Sequence, residues 1–405
     1  MIVPLLPFYA TEFGSSAAVV GLLVSAFSVA QLAGAPLWGR FSDRYGRRPA
    51  ILAGLAITAV AYVIFALATS VPALFLSRIV QGAGGGTIGV VQAYVTDASA
   101  PDQRTKSLGW LSAVTSFGAV VGPAFGSLMV ALGGRRAPGL AAAVLTMLVA
   151  TFAWRYLRES RELRESGAHR VTPGRSGRAA IAYVLARWHE PAPRLIWIYA
   201  VAIGAFYGTI QTVPLLLEHR LGITERNIGY FVMYLGGMGV IARALVLGRV
   251  VDRLGEARLS RVGMVLLAAG LVATGLAYGP LLFFVGFTLM PLGTAFLFPC
   301  VTGLLSRVIP PGERGLYMGV QHTFGGVSRV VFPIAAGLMM DHLGLGVPFW
   351  VAGLLVLATL PLTGAMAAYM ANAPQQAAEA RELAAADLTG EFRVQPAPQG
   401  GASEG

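Results

Sequence analysis

Long stretches of this chain carry no charged residue, and nothing else in it constrains the fold as strongly. The uncharged runs are Phe13–Gly39, Pro49–Ser77, Ile79–Thr96, Ser107–Gly134, Ala137–Trp154, Leu195–Leu217, Val262–Ser306 and Leu343–Ala378. A helix needs about 20 mostly apolar residues to cross a bilayer. Most of these runs are long enough, and Val262–Ser306 holds two spans with a natural break at Gly279-Pro280. Two further spans are each interrupted by one arginine, Arg243 and Arg329. Only 12% of the 405 residues are charged, about half the share of a soluble domain. The chain reads as an integral membrane protein.

The pattern places spans near residues 1–11, 17–38, 49–69, 72–96, 107–132, 137–156, 195–217, 227–247, 259–278, 280–306, 315–340 and 346–370. A net charge of +11 would suit a nucleic-acid binder if it formed one patch. Instead it alternates from loop to loop. Arg40, Arg44, Arg47 and Arg48 follow span 2, Arg104 and Lys106 follow span 4, and a run from Arg155 to Arg194 follows span 6. Arg249, Arg253, Arg258 and Arg261 follow span 8, and Arg307 and Arg314 follow span 10. The opposite loops hold only Arg135, Arg136, Arg220 and Arg226. This is the positive-inside bias, which puts the basic loops and both termini in the cytoplasm. Nucleic acid is therefore excluded as a partner, and the lipid bilayer is the expected surrounding.

The chain divides into an N-terminal bundle (1–156), a basic linker (157–194), a C-terminal bundle (195–371) and a tail (372–405). The linker alternates charges at helical spacing over Arg158–Arg170, which suits a solvated helix. The tail is rich in Ala, Gln and Pro, with a short helix expected near Glu379–Asp387 and disorder elsewhere. The two bundles are related. Gly39-Arg40-Phe41-Ser42-Asp43-Arg44-Tyr45-Gly46 is repeated as Gly248-Arg249-Val250-Val251-Asp252-Arg253-Leu254-Gly255. The motif offset is 209 residues, and an offset of 209–210 carries Pro101 onto Pro310 and Pro123 onto Pro333. Repeated halves joined by a polar linker are how many transporters are built. The expected fold is all-α, with twelve spans in two pseudo-symmetric six-helix bundles and a substrate site between them.

These residues resemble the major facilitator superfamily. Gly39-x-x-x-Asp43-Arg44-x-Gly46-Arg47-Arg48 is similar to its loop 2–3 motif, and Arg78-x-x-Gln81-Gly82 to its span-4 motif. Gly118-x-x-x-Gly122-Pro123-x-x-Gly126-Ser127 resembles the antiporter motif, with Ser where a second Gly is usual. Val3-Pro4 through Tyr9 resembles the first span of tetracycline and multidrug exporters. The resemblance implies alternating access, proton-driven antiport and a small-molecule substrate, and it adds Asp97 to a latch with the loop 2–3 motif. It also gives Gly118, Gly122, Pro123 and Gly126 a sealing role that favours export.

Elementary chemistry supports parts of this. Gly39 and Gly46 permit close approach or positive φ at a tight turn, and Asp43 can pair with an arginine or a helix N-terminus. Asp252, Arg253 and Gly248 repeat the arrangement. Gly118, Gly122 and Gly126 share one helix strip, where small residues let backbones approach. Arg78, Arg243 and Arg329 lie inside spans, where an arginine costs about 2.5–3.5 kcal/mol on insertion scales. Arg78 and Arg329 are candidates for coupling or substrate contact, or else for structural ties; Arg243 is near enough to a span end to snorkel. Gln31, Gln81, Gln211, Gln321 and His322 are further polar candidates, each with interhelical hydrogen bonding as the alternative. Tyr62, Tyr207, Tyr230, Tyr234, Phe206, Phe296 and Phe298 are a candidate group for an apolar pocket wall.

No Asp or Glu lies at mid-depth in any span, which leaves His322 as the central titratable candidate for a proton. No G-x-x-x-x-G-K-[ST] loop is present and Lys106 is the sole lysine, which excludes ATP hydrolysis by this chain. Cys300 is the one cysteine, so neither a disulfide nor a cysteine metal site is expected. No cofactor is expected, and no enzymatic nucleophile–base set is present. The expected function is secondary export of amphipathic or apolar molecules by a monomer of the cytoplasmic membrane. The rivals are an anion or metabolite carrier with Arg78 and Arg329 as counter-charges, and a receptor or scaffold that transports nothing. Span 1 is expected to be incomplete. The stub before Glu12 covers about half of the hydrocarbon core. Either the start codon is placed downstream of the true one, the reading favoured by the intact later spans and loop motifs, or the chain is a truncated and poorly functional copy.

Overall fold

A computed structural model of the protein describes residues 1–100, 103–159, 177–310 and 313–364. Most of the alternating-charge linker and the whole tail lie outside these residues, including the expected helix at Glu379–Asp387. The described residues form helices joined by short turns.

In the first half these are α1 (Leu6–Glu12, after a 3-10 turn at Val3–Leu5), α2 (Ala17–Tyr45), α3 (Arg47–Leu67) and α4 (Val71–Asp97, interrupted at Gly86-Thr87). α5 (Arg104–Gly133) and α6 (Ala137–Tyr156) complete it. A short linker helix, Gly177–Ala186, precedes the second half. There α7 (Pro191–Ile210) continues beyond a break at Gln211-Thr212 as Val213–Leu221. α8 (Ile228–Leu254) contains a π segment, Ala242–Leu247. α9 (Glu256–Leu276), α10 (Pro280–Val308), α11 (Arg314–His342) and α12 (Val347–Thr363) follow.

Ten of these helices are long and apolar enough to cross a membrane. α1 and α12 are shorter within the described residues, although each occupies the position of an expected span. Several helices start with proline in the first turn, among them α4, α6, α7, α10 and α12. There the missing N–H is no loss, since that donor has no intrahelical acceptor.

The internal repeat is visible in the backbone. α2 ends at Gly46, with φ +106°, and the repeat-related end of α8 is Gly255, with φ +75°. Each glycine N–H closes the preceding helix, onto Ser42 O at 2.9 Å and Val251 O at 2.8 Å. A side chain would strain both turns. Gly39, expected to permit a tight turn or close approach, does neither. It lies inside α2 with nothing near its missing Cβ, because the helix runs on to Tyr45 before it turns.

Within each half the helices interlock through glycine. In α9–α10, a Cβ on Gly270 would stand 2.6 Å from Met290 N, and one on Gly293 2.4 Å from Leu267 N. In α3–α4, Gly84 approaches Thr58 in the same way. Association in lipid relies on such backbone proximity, because apolar burial offers no gain there. The halves meet along two seams, α2 against α11 and α5 against α8.

Candidate substrate site

The two seams are tight toward one end only. At the ends that carry few arginines, a Cβ on Gly21 would lie 2.2 Å from Pro333 O, and one on Gly337 2.3 Å from Ala17 O. On the other seam, a Cβ on Gly229 would lie 2.2 Å from Pro123 O. Hydrogen bonds reinforce both. Ser25 Oγ donates to Val330 O at 2.6 Å, and the Asp341 carboxylate accepts from the N–H groups of Ala17 and Ala18 at 2.9 Å each. Ser16, at the N-cap of α2, makes no side-chain cap bond; the other half supplies the cap instead. A carboxylate there meets both the free N–H groups and the positive end of the helix dipole.

Ser127 links the second seam. Its hydroxyl donates to Glu225 O at 2.8 Å and accepts from Gly229 N–H at 2.9 Å. The serine that departs from the antiporter pattern is thus a polar bridge between the halves. The glycine strip beside it is used unevenly. Gly122 and Gly126 pack on Met1, whereas Gly118 meets nothing and faces the cavity.

Behind this seal a cavity of about 620 Å³ lies between the halves. Its wall is mostly apolar and aromatic. Phe206, Tyr207 and Phe298 of the expected aromatic group line it, joined by Tyr199. Tyr199 meets Phe298 edge to face at 5.5 Å. Phe296 is buried instead in a cluster of α8, α9 and α10 residues, and Tyr230 is exposed. Tyr234 is hydrogen-bonded to Thr288 at 2.8 Å. Arg243, within the π segment of α8, lines the same cavity.

A second cavity, of about 120 Å³, adjoins the first. Ser28, Gln31, Arg78, Gln211 and Arg329 line it, and Val3, Tyr207, Gln211 and Arg329 belong to both walls. Arg78 is 2% exposed and donates to Gln81 Oε1. Gln31 donates to Gly85 O at 3.3 Å, tying α2 to α4. Gln321 is buried with its amide nitrogen unpartnered. His322 is exposed, lines neither cavity, and sits 6.3 Å from the Tyr199 ring.

At the arginine-rich end, charges pair inside each half. Arg47 contacts Asp43 at 3.0 Å and Asp97 at 3.3 Å, and it donates to Ser42 Oγ at 2.8 Å. Glu159, at the start of the linker, accepts from the N–H groups of Arg47 and Arg48 at 2.9 and 3.2 Å, capping α3. In the second half, Arg307 contacts Glu256 at 2.7 Å. An offset of 209–210 residues carries Arg47 onto Glu256 and Asp97 onto Arg307. Both ion pairs tie the start of one span to the end of the next, with the charges exchanged. Reading the offset past the motif itself would have revealed the second pair.

Two stacked bundles with a cavity at their interface, sealed at one end, define a transporter rather than an enzyme. The sequence profile of the Major Facilitator Superfamily matches residues 1–273 and 237–397. The chain belongs to this family. It is 28% identical to Multidrug resistance protein 2 of Bacillus subtilis (strain 168) over 373 residues, covering 90% of each chain. It is 26% identical to the class B tetracycline resistance protein of Escherichia coli over 359 residues, 86% of each. Among solved structures, the human organic anion transporter MFSD10 (TETRAN) superposes with a TM-score of 0.65 at 23% identity, covering 89% of this chain and 94% of that one.

Proposed function

We propose that the protein is a secondary exporter that moves small amphipathic molecules out of the cytoplasm in exchange for protons. One observation carries the reading: an apolar, aromatic cavity large enough for a small molecule, closed at one end of the interface by Gly–carbonyl contacts, while Gly39, Gly109 and Gly319 toward the other end have open space. The basic loops assign the arginine-rich end to the cytoplasm, so the conformation described here is open inward. Substrate enters from that side or from the inner leaflet. Rocking of the halves then breaks the Gly–carbonyl contacts and forms a new seal at the arginine-rich end. The resemblance to multidrug and tetracycline resistance proteins supports the outward direction. The cavity is complete within one chain, which fits a monomer in the cytoplasmic membrane, both termini inside.

Arg47, Asp43 and Asp97, with Arg44 and the repeat-related Asp252 and Arg253 of the second half, would act as the latch that reorganises when the inner end closes. His322 is the candidate proton carrier. Extrusion of an amphipathic dye from cells overexpressing the protein should stop when a protonophore collapses the gradient. Extrusion that continues unchanged would rule out proton exchange. His322→Gln should flatten the pH dependence of transport; an unchanged profile returns His322 to packing.

A further inference from the structure

Several described arginines face a carboxylate or carbonyls. Arg47 has Asp43 and Asp97, Arg135 has Glu12 and Glu225, and Arg307 has Glu256. Arg220 donates to the carbonyls of Gly275 and Ala277. Arg78 and Arg329 make no ion pair among the described residues. Each has a buried Nε without a hydrogen-bond partner and rests on an aromatic ring, Phe27 at 5.0 Å and Tyr207 at 4.6 Å, as Arg135 rests on Tyr9, but without the carboxylates that Arg135 has. Both line the 120 Å³ cavity, and no Asp or Glu is among its lining residues or those of the larger cavity. A buried charge needs a counter-charge or water, and here two like charges converge on one small space.

We infer that this cavity is a head-group site for an organic anion, with Arg78 and Arg329 as its paired recognition groups. A carboxylate accepts from guanidinium in short, strong hydrogen bonds, and Ser28, Gln31 and Gln211 offer neutral polar atoms around it. The continuous wall of Val3, Tyr207, Gln211 and Arg329 leads from the head-group site into the aromatic cavity. An amphipathic anion therefore fits with its charge between the arginines and its apolar body in the larger space. Arg78 belongs to the first half and Arg329 to the second, so a bound carboxylate is held by both halves. This selects the substrate class of the exporter proposed above and rests on that reading for its site.

The test is equilibrium binding of three probes sharing one apolar body to the full-length protein in lipid nanodiscs. The probes are 2-naphthoate, 2-naphthamide and 2-naphthyltrimethylammonium. Naphthoate should bind about tenfold more tightly than the amide, as expected for a charge-assisted hydrogen-bond pair, and the ammonium most weakly. Arg78→Gln and Arg329→Gln should each remove most of that preference, lowering naphthoate affinity several-fold more than amide affinity, since the neutral amide gains less from the charge. Arg329→Lys should retain part of it. Equal binding of the three probes by the wild-type protein would overturn the proposal without any variant. So would a preference that survives both Gln substitutions, or competition by inorganic phosphate or chloride as effective as by naphthoate. Export of the ammonium but not of naphthoate would remove the anion site and leave the exporter standing. Selective naphthoate binding with no export of any probe would do the reverse.

Discussion

The two ends of the interface between the halves are held by different physics. At the arginine-poor end, Gly21, Gly229 and Gly337 bring backbone against backbone, and Ser25, Ser127 and Asp341 add hydrogen bonds across the seams. At the arginine-rich end, Arg47 pairs with Asp97 and Arg307 with Glu256, each within its own half. Packing contacts are short-ranged and are either made or lost, whereas ion pairs near a polar surface are individually weak and exchange partners readily. The first kind of end suits a seal, and the second suits a latch. Alternating access needs both, because one end must let go as the other engages.

The largest effect should come from filling the seal. Overpacking costs about 1–3 kcal/mol, and a leucine aimed at a carbonyl belongs at the top of that range. Gly229→Leu or Gly21→Leu should then reduce the sealed population roughly 100-fold and abolish transport without preventing membrane insertion. Transport at the wild-type rate in both variants would mean that these contacts do not form in the working protein.

A smaller effect is expected at Asp341. A carboxylate at a helix N-terminus contributes about 0.3–1 kcal/mol, up to ~2 when partly buried. Asp341→Asn keeps the shape and loses the charge, so transport should slow by a few-fold to about tenfold. Asp341→Glu should recover part of the rate. Equal rates in all three proteins would show that the cap is incidental.

The smallest effect should come from the latch, where partly exposed pairs are worth about 0.2–1 kcal/mol. Arg47→Glu alone places like charges together and should slow transport a few-fold. The second half already uses the opposite polarity at the related positions, Glu256 and Arg307. Arg47→Glu combined with Asp97→Arg should therefore recover much of the loss. A double variant no faster than the single one would make the exchanged pair a coincidence.

Much of this contrast is written locally in the chain. The spans follow from uncharged runs, and the turns at Gly46 and Gly255 from a motif seen twice. Arg78 and Arg329 could be singled out because a charge inside an apolar run is conspicuous. Their convergence on one cavity could not, since it depends on how α4 and α11 face each other across the halves. Asp341 lies at the end of a span, where carboxylates are common. Only the packing of α2 on α11 makes it a cap for another helix. Gly39 illustrates the opposite error: the motif suggests a turn, but a helix continues through it. Gly118 likewise shares a strip with Gly122 and Gly126 yet opens onto the cavity, because spacing gives the helix face and not what stands opposite.

The most direct test of the contrast is a pair of spin-label distances across the two ends, in a Cys300→Ser background. One pair sits at Gly109 and Gly319, at the arginine-rich ends of α5 and α11, where both backbones have open space. The other sits at the exposed Arg136 and Arg226, beside the seal. Relative to the otherwise unsubstituted protein, Gly229→Leu should lengthen the Arg136–Arg226 distance and shorten the Gly109–Gly319 distance. Two distances that stay fixed, or that lengthen together, would contradict an interface whose ends open in turn.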